Sequence, residues 1–525
     1  MAPKDAASHP LIERLVQAVG GEHVLTDEAD RSFYAHDVYR QMAVPLAVVR
    51  PGTVEELANV VGTATSQGVA VVPRGGGASY SDGYLAATAQ SILIDTTRLN
   101  RIDLHADDMY VTVEAGVTWA ELYETLGKYG LRTPFWGPFS GLRATIGGSI
   151  SQGSVSLGSG LHGPSADSVL ALEVVLADGT ILKTGAAAAA NGTPFFRHYG
   201  PDLSALFTGD TGAMAVKARI TLRLIRALPV VMSVSFGFTT FEGMARGMAA
   251  AAREGIVADN FGLNPRLQKA WLGRSNMKQS TSAALAVFKN SRNPVEGTIK
   301  LIRMALAGKS FLNKSEYSAH FIVEGVDAAH ARSLLAVVRR VVEPHGMEVP
   351  NTIPDVVRAT PFMPLYPIMG PTGERWVPLH GILPFSKVDA FHARLGIIQE
   401  AYAARMNALK IHVAAMFTTI GTTGFLYEPV FYWQDARHLY HSRYLPQEYL
   451  DQLPTYPENP EARAVVEEMR VAIRSAFADC GAVHLQVGKS YPYMAGRDPR
   501  NGEMLRSLKG VLDPRGLMNP GSLGL

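Results

Sequence analysis

The sequence predicts an α+β protein built of two large units. Three observations carry that reading. Residues 1–229 hold short alternating apolar runs between glycine-rich turns, residues 230–487 repeat a strand-then-helix rhythm, and 525 residues exceed what a single hydrophobic core organises.

The elements follow in order. Pro10-Leu11-Ile12-Glu13-Arg14-Leu15-Val16 opens a leading helix over residues 10–20. Thr53 is placed to N-cap the next helix, with Glu56 three residues on completing a capping box. Alternating apolar residues flank Asp178-Gly179 between Leu172 and Gly185, which predicts a hairpin with a type I′ turn. Met214, Val216, Ala218, Ile220, Leu222 and Leu224 alternate as one half-buried strand. In the second unit, a strand over Val230 to Thr239 precedes a helix over Phe241 to Gly255. Ala319 to Val323 precedes a helix over Asp327 to Pro344, and Trp376 to Pro384 precedes one over Lys387 to Leu409. This rhythm predicts a mixed sheet covered on one face by helices. Arg274 to Asn313, rich in Ser, Asn, Lys and Gly, reads as a solvated excursion before it reads as a partner-binding arm or a lid. Residues 488–525 form a separate closing segment.

Composition narrows the function classes. The 49 basic and 47 acidic residues leave a formal charge of +2, and no Lys/Arg block marks a nucleic-acid surface. Cys480 stands alone, which excludes an intramolecular disulfide and any cysteine metal cluster, and reads as a buried small hydrophobe. Met1 to Pro10 is polar, without the apolar core of a signal peptide, and no stretch is apolar and uncharged over the length of a membrane span. The expectation is a cytoplasmic protein that is not integral to a membrane.

The chemistry concentrates in Val71-Val72-Pro73-Arg74-Gly75-Gly76-Gly77-Ala78-Ser79-Tyr80-Ser81-Asp82-Gly83. Three bare glycines behind an arginine let backbone N–H groups form a concave nest and let a diphosphate approach. A second loop, Thr145-Ile146-Gly147-Gly148-Ser149, is followed by Gly153, Gly158, Gly160 and Gly163. Two such loops imply one long cofactor. Tyr80 stands where a dinucleotide fingerprint needs its third glycine, and no G-x-x-x-x-G-K-[ST] occurs, so a flavin-sized ligand remains.

Six stretches in order carry a family resemblance: Pro73–Gly77 leading to Ile92-Leu93-Ile94-Asp95; Val113-Glu114-Ala115-Gly116-Val117; Ile146-Gly147-Gly148; Leu172 through Thr180; Tyr199 through Leu203 on to Gly212; and Leu512 through Gly521. The chain resembles the vanillyl alcohol oxidase and p-cresol methylhydroxylase flavoproteins, a superfamily that includes D-lactate and glycolate dehydrogenases and alkyl-dihydroxyacetone-phosphate synthase. The resemblance implies a two-part FAD-binding domain of the p-cresol methylhydroxylase type over 1–229, a cap or substrate domain over 230–487, and a tail over 488–525 that returns to the first. It implies FAD as cofactor, held by Pro73, Arg74, Gly75, Gly76, Gly77, Ala78, Ser79 and Tyr80, by Thr145, Gly147 and Gly148, and by Gly212, Val216, Lys489 and Asn519.

The pocket departs from the phenol oxidases. By the resemblance, His162-Gly163 stands for their tyrosine-glycine pair, His484 for an arginine and Val483 for a tyrosine, while Tyr80 matches a phenolate-binding tyrosine. Their carboxylate near flavin N5 has no counterpart in Arg143-Ala144-Thr145-Ile146. Without the phenolate cluster, an alcohol needs a base for its hydroxyl proton, and His162 and His484 are the candidates. Lys489 or protonated His484 is placed to stabilise reduced flavin. Ala78 replaces the phosphate-loop histidine that links flavin covalently in some members. His380, in Trp376-Val377-Pro378-Leu379-His380-Gly381, is left as either a covalent attachment point or a substrate-facing residue.

Phe425-Leu426-Tyr427-Glu428-Pro429-Val430-Phe431-Tyr432-Trp433 reads as a cap strand, with Tyr427, Pro429 and Phe431 on one face and Glu428, Val430 and Tyr432 on the other. One face alone meets substrate, where Tyr427, Tyr432 and Arg437 are candidates for polar contacts. His438 and His441 are two residues short of a metal site, so no metal is expected. The expected function is FAD-dependent removal of hydride from a CH–OH or benzylic CH carbon of a small aromatic or bulky apolar alcohol or phenol. The alternatives are a 2-hydroxy-acid dehydrogenase with Arg143 or Arg437 clamping the carboxylate, a lyase or synthase without net redox change, and a non-catalytic flavoprotein. Oxygen, a quinone or a cytochrome as electron acceptor, and a homo-oligomer, stay open.

Overall fold

The computed structural model describes residues 9–268, 316–350 and 353–525, so the Arg274 to Asn313 excursion lies outside the described residues. The first unit holds two sheets. One has four strands in the order Val24–Leu25, Ala47–Val49, Ser91–Asp95, Ala70–Arg74, the last three parallel. Helices Pro10–Val19 and Val54–Ser66 cover it, burying Leu11, Leu15, Leu57, Val60 and Val61 against Val71, Ile92 and Ile94. The other has five antiparallel strands in the order Ile102–His105, Tyr110–Glu114, Val216–Arg223, Val169–Val175, Ile181–Lys183. Met518 bridges to Val71 and Asn519 N–H donates to its carbonyl at 2.8 Å, so the closing segment lies on the strand that leads into the triple-glycine loop.

Local details refine the sequence reading. Thr53 Oγ1 does accept from Glu56 N–H at 3.1 Å, but the Glu56 carboxylate accepts from Gly52 N–H at 2.7 Å, one residue before the cap. The hairpin turn is not type I′. Leu176 N–H bonds to the Thr180 carbonyl and Gly179 N–H to Leu176, with Gly179 at φ 84°, which makes a three-residue loop ending in a left-handed glycine.

The cap sheet runs in the order Met347–Glu348, Val230–Phe238, Tyr317–Gly325, Asp259–Leu263, His412–Ile420, Gly424–Trp433, Arg375–Pro378. Every pairing among the described strands is antiparallel, which corrects the mixed sheet expected. Helices Phe241–Arg253, Ala328–Val342, Val388–Ala408 and Pro460–Asp479 cover one face. Their side chains bury Phe236, Phe321, Phe417, Tyr427 and Phe431; each such aromatic contributes on the order of 1.5–3 kcal/mol by leaving water. The opposite face turns to the first unit: Phe261 and Ile322 pack with Trp136 and Leu157. A buried ionic network joins the two units, with Glu324 accepting from both Arg132 and Arg358, and Asp259 accepting from Gly158 N–H at 2.8 Å.

Candidate functional site

Strand Ala70–Arg74 delivers the triple-glycine loop to a cleft. Pro73 to Ser79, then Thr145, Gly147 and Gly148 of the second loop, then Val216 and Lys217 border it, with Gln486 arriving from the far end of the cap. Backbone polarity in the loop is sorted. Tyr84 and Tyr440 hydroxyls both donate to the Gly77 carbonyl at 2.7 Å, and the Tyr444 hydroxyl donates to the Gly76 carbonyl at 3.1 Å. Among the described residues nothing accepts from the N–H groups of Gly76, Gly77, Ala78 or Ser79. Buried carbonyls are thus satisfied from behind, and the loop offers its donors as a nest for an anion.

The glycines have a second reason. A Cβ on Gly75 would lie 2.0 Å from Thr145 Oγ1 and one on Gly76 1.6 Å from the Arg143 carbonyl oxygen. Their bareness therefore seats one loop on the other as well as exposing the amides. Arg74 is buried, among the rings of Phe33, Tyr34, Tyr84 and Tyr444 at 5.5, 4.5, 5.1 and 5.9 Å, and donates to the Tyr444 hydroxyl at 2.6 Å.

A second cluster lies where the cap sheet meets Gln486. Arg375–Pro378 and Gly381–Pro384 pair with Gly424–Trp433 in one continuous register, Pro378 opposite Val430 and Gly381 opposite Tyr427. His380 therefore stands opposite Glu428. Leu379 N–H donates to the Pro429 carbonyl at 2.8 Å, so the next N–H, that of His380, points away from this strand and donates to the Tyr491 hydroxyl at 3.0 Å. The Tyr491 hydroxyl also shares a hydrogen bond with His380 Nδ1 at 3.4 Å, and His484 Nδ1 donates to the His380 carbonyl at 2.7 Å while its ring stacks on Tyr491 at 4.2 Å. Tyr80 meets Trp376 and His380 edge-on at 5.5 and 5.9 Å. Gln486 Nε2 donates to the Tyr80 hydroxyl at 3.2 Å and Gln486 Oε1 accepts from Ser79 Oγ at 3.2 Å, which ties this cluster to the cleft.

Burial governs its electrostatics. The His380 imidazole is lowered to about 3, by burial first and then by His484, and its Nε2 has no hydrogen-bond partner. Burial pushes the Glu428 carboxyl up to about 7, with no ion pair among the described residues to offset it. Burial and then Glu428 raise the Tyr80 hydroxyl well above its ordinary value. Arg470 and Arg474, whose charges reach Tyr491, are paired with Glu467 at 2.9 and 3.0 Å.

Residues 45–185 match the family model described as an FAD binding domain. The chain binds FAD. The cleft fits that cofactor, because its unpartnered amides suit the diphosphate and both glycine loops border it. Among relatives, the chain is 30% identical over 275 residues to the mitochondrial D-lactate dehydrogenase [cytochrome] of Arabidopsis thaliana, covering 51% of this chain and 46% of that protein. It is 32% identical over 244 residues to a D-2-hydroxyglutarate dehydrogenase of Xanthomonas citri pv. viticola, covering 46% and 50%. The chain spans about half the length of these curated relatives. A solved structure of p-cresol methylhydroxylase with substrate bound superposes with TM-score 0.75 over 100% of this chain and 98% of that one at 15% identity, a likeness of fold. These two sequence relatives are hydroxy-acid dehydrogenases, and the phenol-oxidase branch is not singled out.

Of the residues the sequence pointed to for FAD, Pro73 to Ser79, Thr145, Gly147, Gly148 and Val216 border the cleft. Gly212, at φ 74°, packs its bare face on Pro73, where a Cβ would lie 2.5 Å away. Asn519 donates to the carbonyls of Gly83 and Thr211 at 2.7 and 2.6 Å, and Lys489 donates to Asn519 Oδ1 at 2.6 Å. These two brace the loops from behind. Lys489, lowered to about 8 by burial, does not border the cleft as the expected cation beside reduced flavin would.

Of the expected catalytic residues, Tyr80, His380 and His484 come together. His162 does not join them: it is lowered to about 4 by burial and then by Arg132 and Arg223, at the ionic network between the units. Tyr427 faces the helices, 1% exposed, and its hydroxyl bonds to His392 Nδ1 at 2.8 Å. Arg437 is held by the carbonyls of Leu453 and Pro454, and Arg143 lies over Tyr444 at 4.2 Å, beside the phosphate loop. His438 and His441 share a face with rings 4.3 Å apart, packed on His36. Among the described residues no group of His, Cys, Asp or Glu is arranged to hold a metal, and no helix is long and apolar enough to cross a membrane. The sequence reading did not single out Glu428, Tyr491 or Gln486 for function. For Glu428 the signal was present, a lone carboxylate in an aromatic strand.

Proposed function

We propose that the chain is an FAD-dependent oxidoreductase that removes hydride from the CH–OH carbon of an uncharged aromatic or bulky apolar alcohol. The observation that carries this is the Tyr80–Trp376–His380–Glu428–Tyr491 cluster: aromatic walls around one carboxyl group, with no cation in the electrostatics of Glu428 or Tyr80. A substrate carboxylate beside Glu428 would meet like charge, and the guanidinium groups whose charges reach His380 and Tyr491, Arg470 and Arg474, are already paired with Glu467.

Bound FAD supplies the two-electron acceptor. The chain's own residues do the rest. Tyr80, Trp376 and His380 orient the substrate, and the cap sheet excludes water. Glu428 takes the hydroxyl proton on its carboxylate, because a group near 7 is matched to neutral pH while His380, near 3, is too weak a base. His484 and Tyr491 hold the His380 backbone in place. His380 Nε2, buried and unpartnered, is the position for a covalent flavin link or a substrate contact.

A second reading, oxidation of a 2-hydroxy acid, is favoured by what the two sequence relatives are named for. Anaerobic mixing separates the readings. Lasting flavin bleaching by uncharged aromatic alcohols supports the first, bleaching by D-lactate or D-2-hydroxyglutarate alone replaces it with the second, and bleaching by neither argues for a lyase or a non-catalytic flavoprotein.

A further inference from the structure

The geometry points to a clamp on the FAD loop that belongs to the cap: Tyr440 and Tyr444 are positioning residues that set FAD affinity by holding the Gly76 and Gly77 carbonyls away from the cleft. The inference rests on the FAD assignment of that cleft. Leu439–Tyr444 is a single short helix, and Tyr440 and Tyr444, four apart, present their hydroxyls on one side with rings 4.4 Å apart. Tyr440 is fully buried and reaches the Gly77 carbonyl across 363 residues of sequence at 2.7 Å. Tyr444 donates to the Gly76 carbonyl at 3.1 Å and accepts from Arg74 at 2.6 Å.

The physical consequence concerns the direction of two peptide groups. Gly77 sits at φ 70°, and glycine peptides reorient with little steric cost. With both hydroxyls present, rotating either carbonyl toward the cleft breaks a buried hydrogen bond. Without them the carbonyls lose their partners and turn toward the cleft, where an oxygen lone pair faces the diphosphate in place of an N–H. The cap thereby contributes to cofactor binding from behind the loop: Tyr440 lines neither cavity at the glycine loops, and Tyr444 borders only the one beside Arg74, Gly75, Gly76 and Arg143, which Gly147, Gly148 and Val216 do not line. Tyr84, on the FAD-binding unit itself, shares the Gly77 carbonyl with Tyr440 at 2.7 Å, so Gly77 keeps one donor when Tyr440 is cut back and Gly76 keeps none when Tyr444 is.

The test is FAD titration of full-length apoprotein from riboflavin-starved cells, read by quenching of flavin fluorescence, with Tyr440→Phe, Tyr444→Phe and the double variant. Tyr427→Phe is the comparison, since it removes an equally buried hydroxyl far from the loop. The melting temperature of each apoprotein is measured alongside. The expected result is FAD affinity weakened about 10-fold in Tyr444→Phe, less in Tyr440→Phe, and about 30- to 100-fold in the double variant, with Tyr427→Phe at the wild-type value. An affinity within twofold of wild type in the double variant overturns the clamp, and so does an equal loss in Tyr427→Phe. Wild-type protein that binds no FAD refutes the cofactor assignment instead. Should Tyr440→Phe fail to fold, half-buried Tyr444 alone decides the matter, because it holds the Gly76 carbonyl unaided.

Discussion

At Glu428 a single carboxyl group carries two opposed consequences of burial. Raised to about 7, it is a proton acceptor poised at neutral pH, so anaerobic flavin reduction in the wild type is expected to accelerate as pH rises through about 7 and then level. Glu428→Gln should slow reduction by about 10² to 10⁴ and flatten that profile; stopped-flow traces across pH check both. Stability moves the other way. Below its ordinary value near 4.5 the group is protonated whether folded or unfolded and contributes nothing. Between there and about 7 the folded state keeps a proton that the unfolded chain releases, so stability falls as pH rises, and above about 7 the full cost remains. Glu428→Gln is therefore expected to raise the melting temperature at pH 8 and leave it nearly unchanged at pH 4. Sequence alone favoured histidines as bases, since their ordinary range suits the task. Burial reversed the ranking by weakening His162 and His484 as bases and lifting a carboxyl instead, and burial is a property of packing that no residue type announces.

At the scale of elements, the two glycine loops divide their labour. An alanine at Gly76 collides with the Arg143 carbonyl, a backbone atom, so Gly76→Ala should lower the melting temperature of the apoprotein itself, an overpacking cost of about 1–3 kcal/mol. An alanine at Gly148 meets only Thr145 Oγ1 at 3.1 Å. Because Gly148 borders the cleft, Gly148→Ala should fold like the wild type and lose FAD affinity. Apoprotein melting and FAD titration on both variants separate the roles. Much at this scale was legible. The period-2 run of Met214 to Leu224 and the helix over Lys387 to Leu409 match strand Val216–Arg223 and helix Val388–Ala408 within two residues. Helix Pro460–Asp479 was not read, although Val465, Val466, Met469, Ile473 and Phe477 repeat at helical spacing. The cap's antiparallel pairing was not legible, because strand order and direction are set by contacts far apart in sequence; strand Asp259–Leu263, for example, lies between Tyr317–Gly325 and His412–Ile420.

Across the whole molecule, the cap does two jobs through one stretch of chain. Gly424–Trp433 lays its aromatic core face on the helices and turns Glu428 toward Tyr80, and the following helix Leu439–Tyr444 reaches the phosphate loop. The proposed substrate wall and the proposed cofactor brace are thus close in sequence, on a sheet fastened to the first unit by the Arg132–Glu324–Arg358 network. Breaking that network at Glu324 leaves two buried guanidinium groups without their shared carboxylate, so Glu324→Gln should destabilise the protein by about 3–5 kcal/mol, read as a lower denaturant midpoint. The decisive experiment on Glu428 is the rate of anaerobic flavin bleaching by an uncharged benzylic alcohol, from about pH 5 to 9, in wild type and Glu428→Gln. With Glu428 as the base, the wild-type rate climbs to a plateau above about pH 7 and the variant shows a slow, flat profile. Equal rates in the two proteins, or bleaching by 2-hydroxy acids and not by the alcohol, would contradict that role.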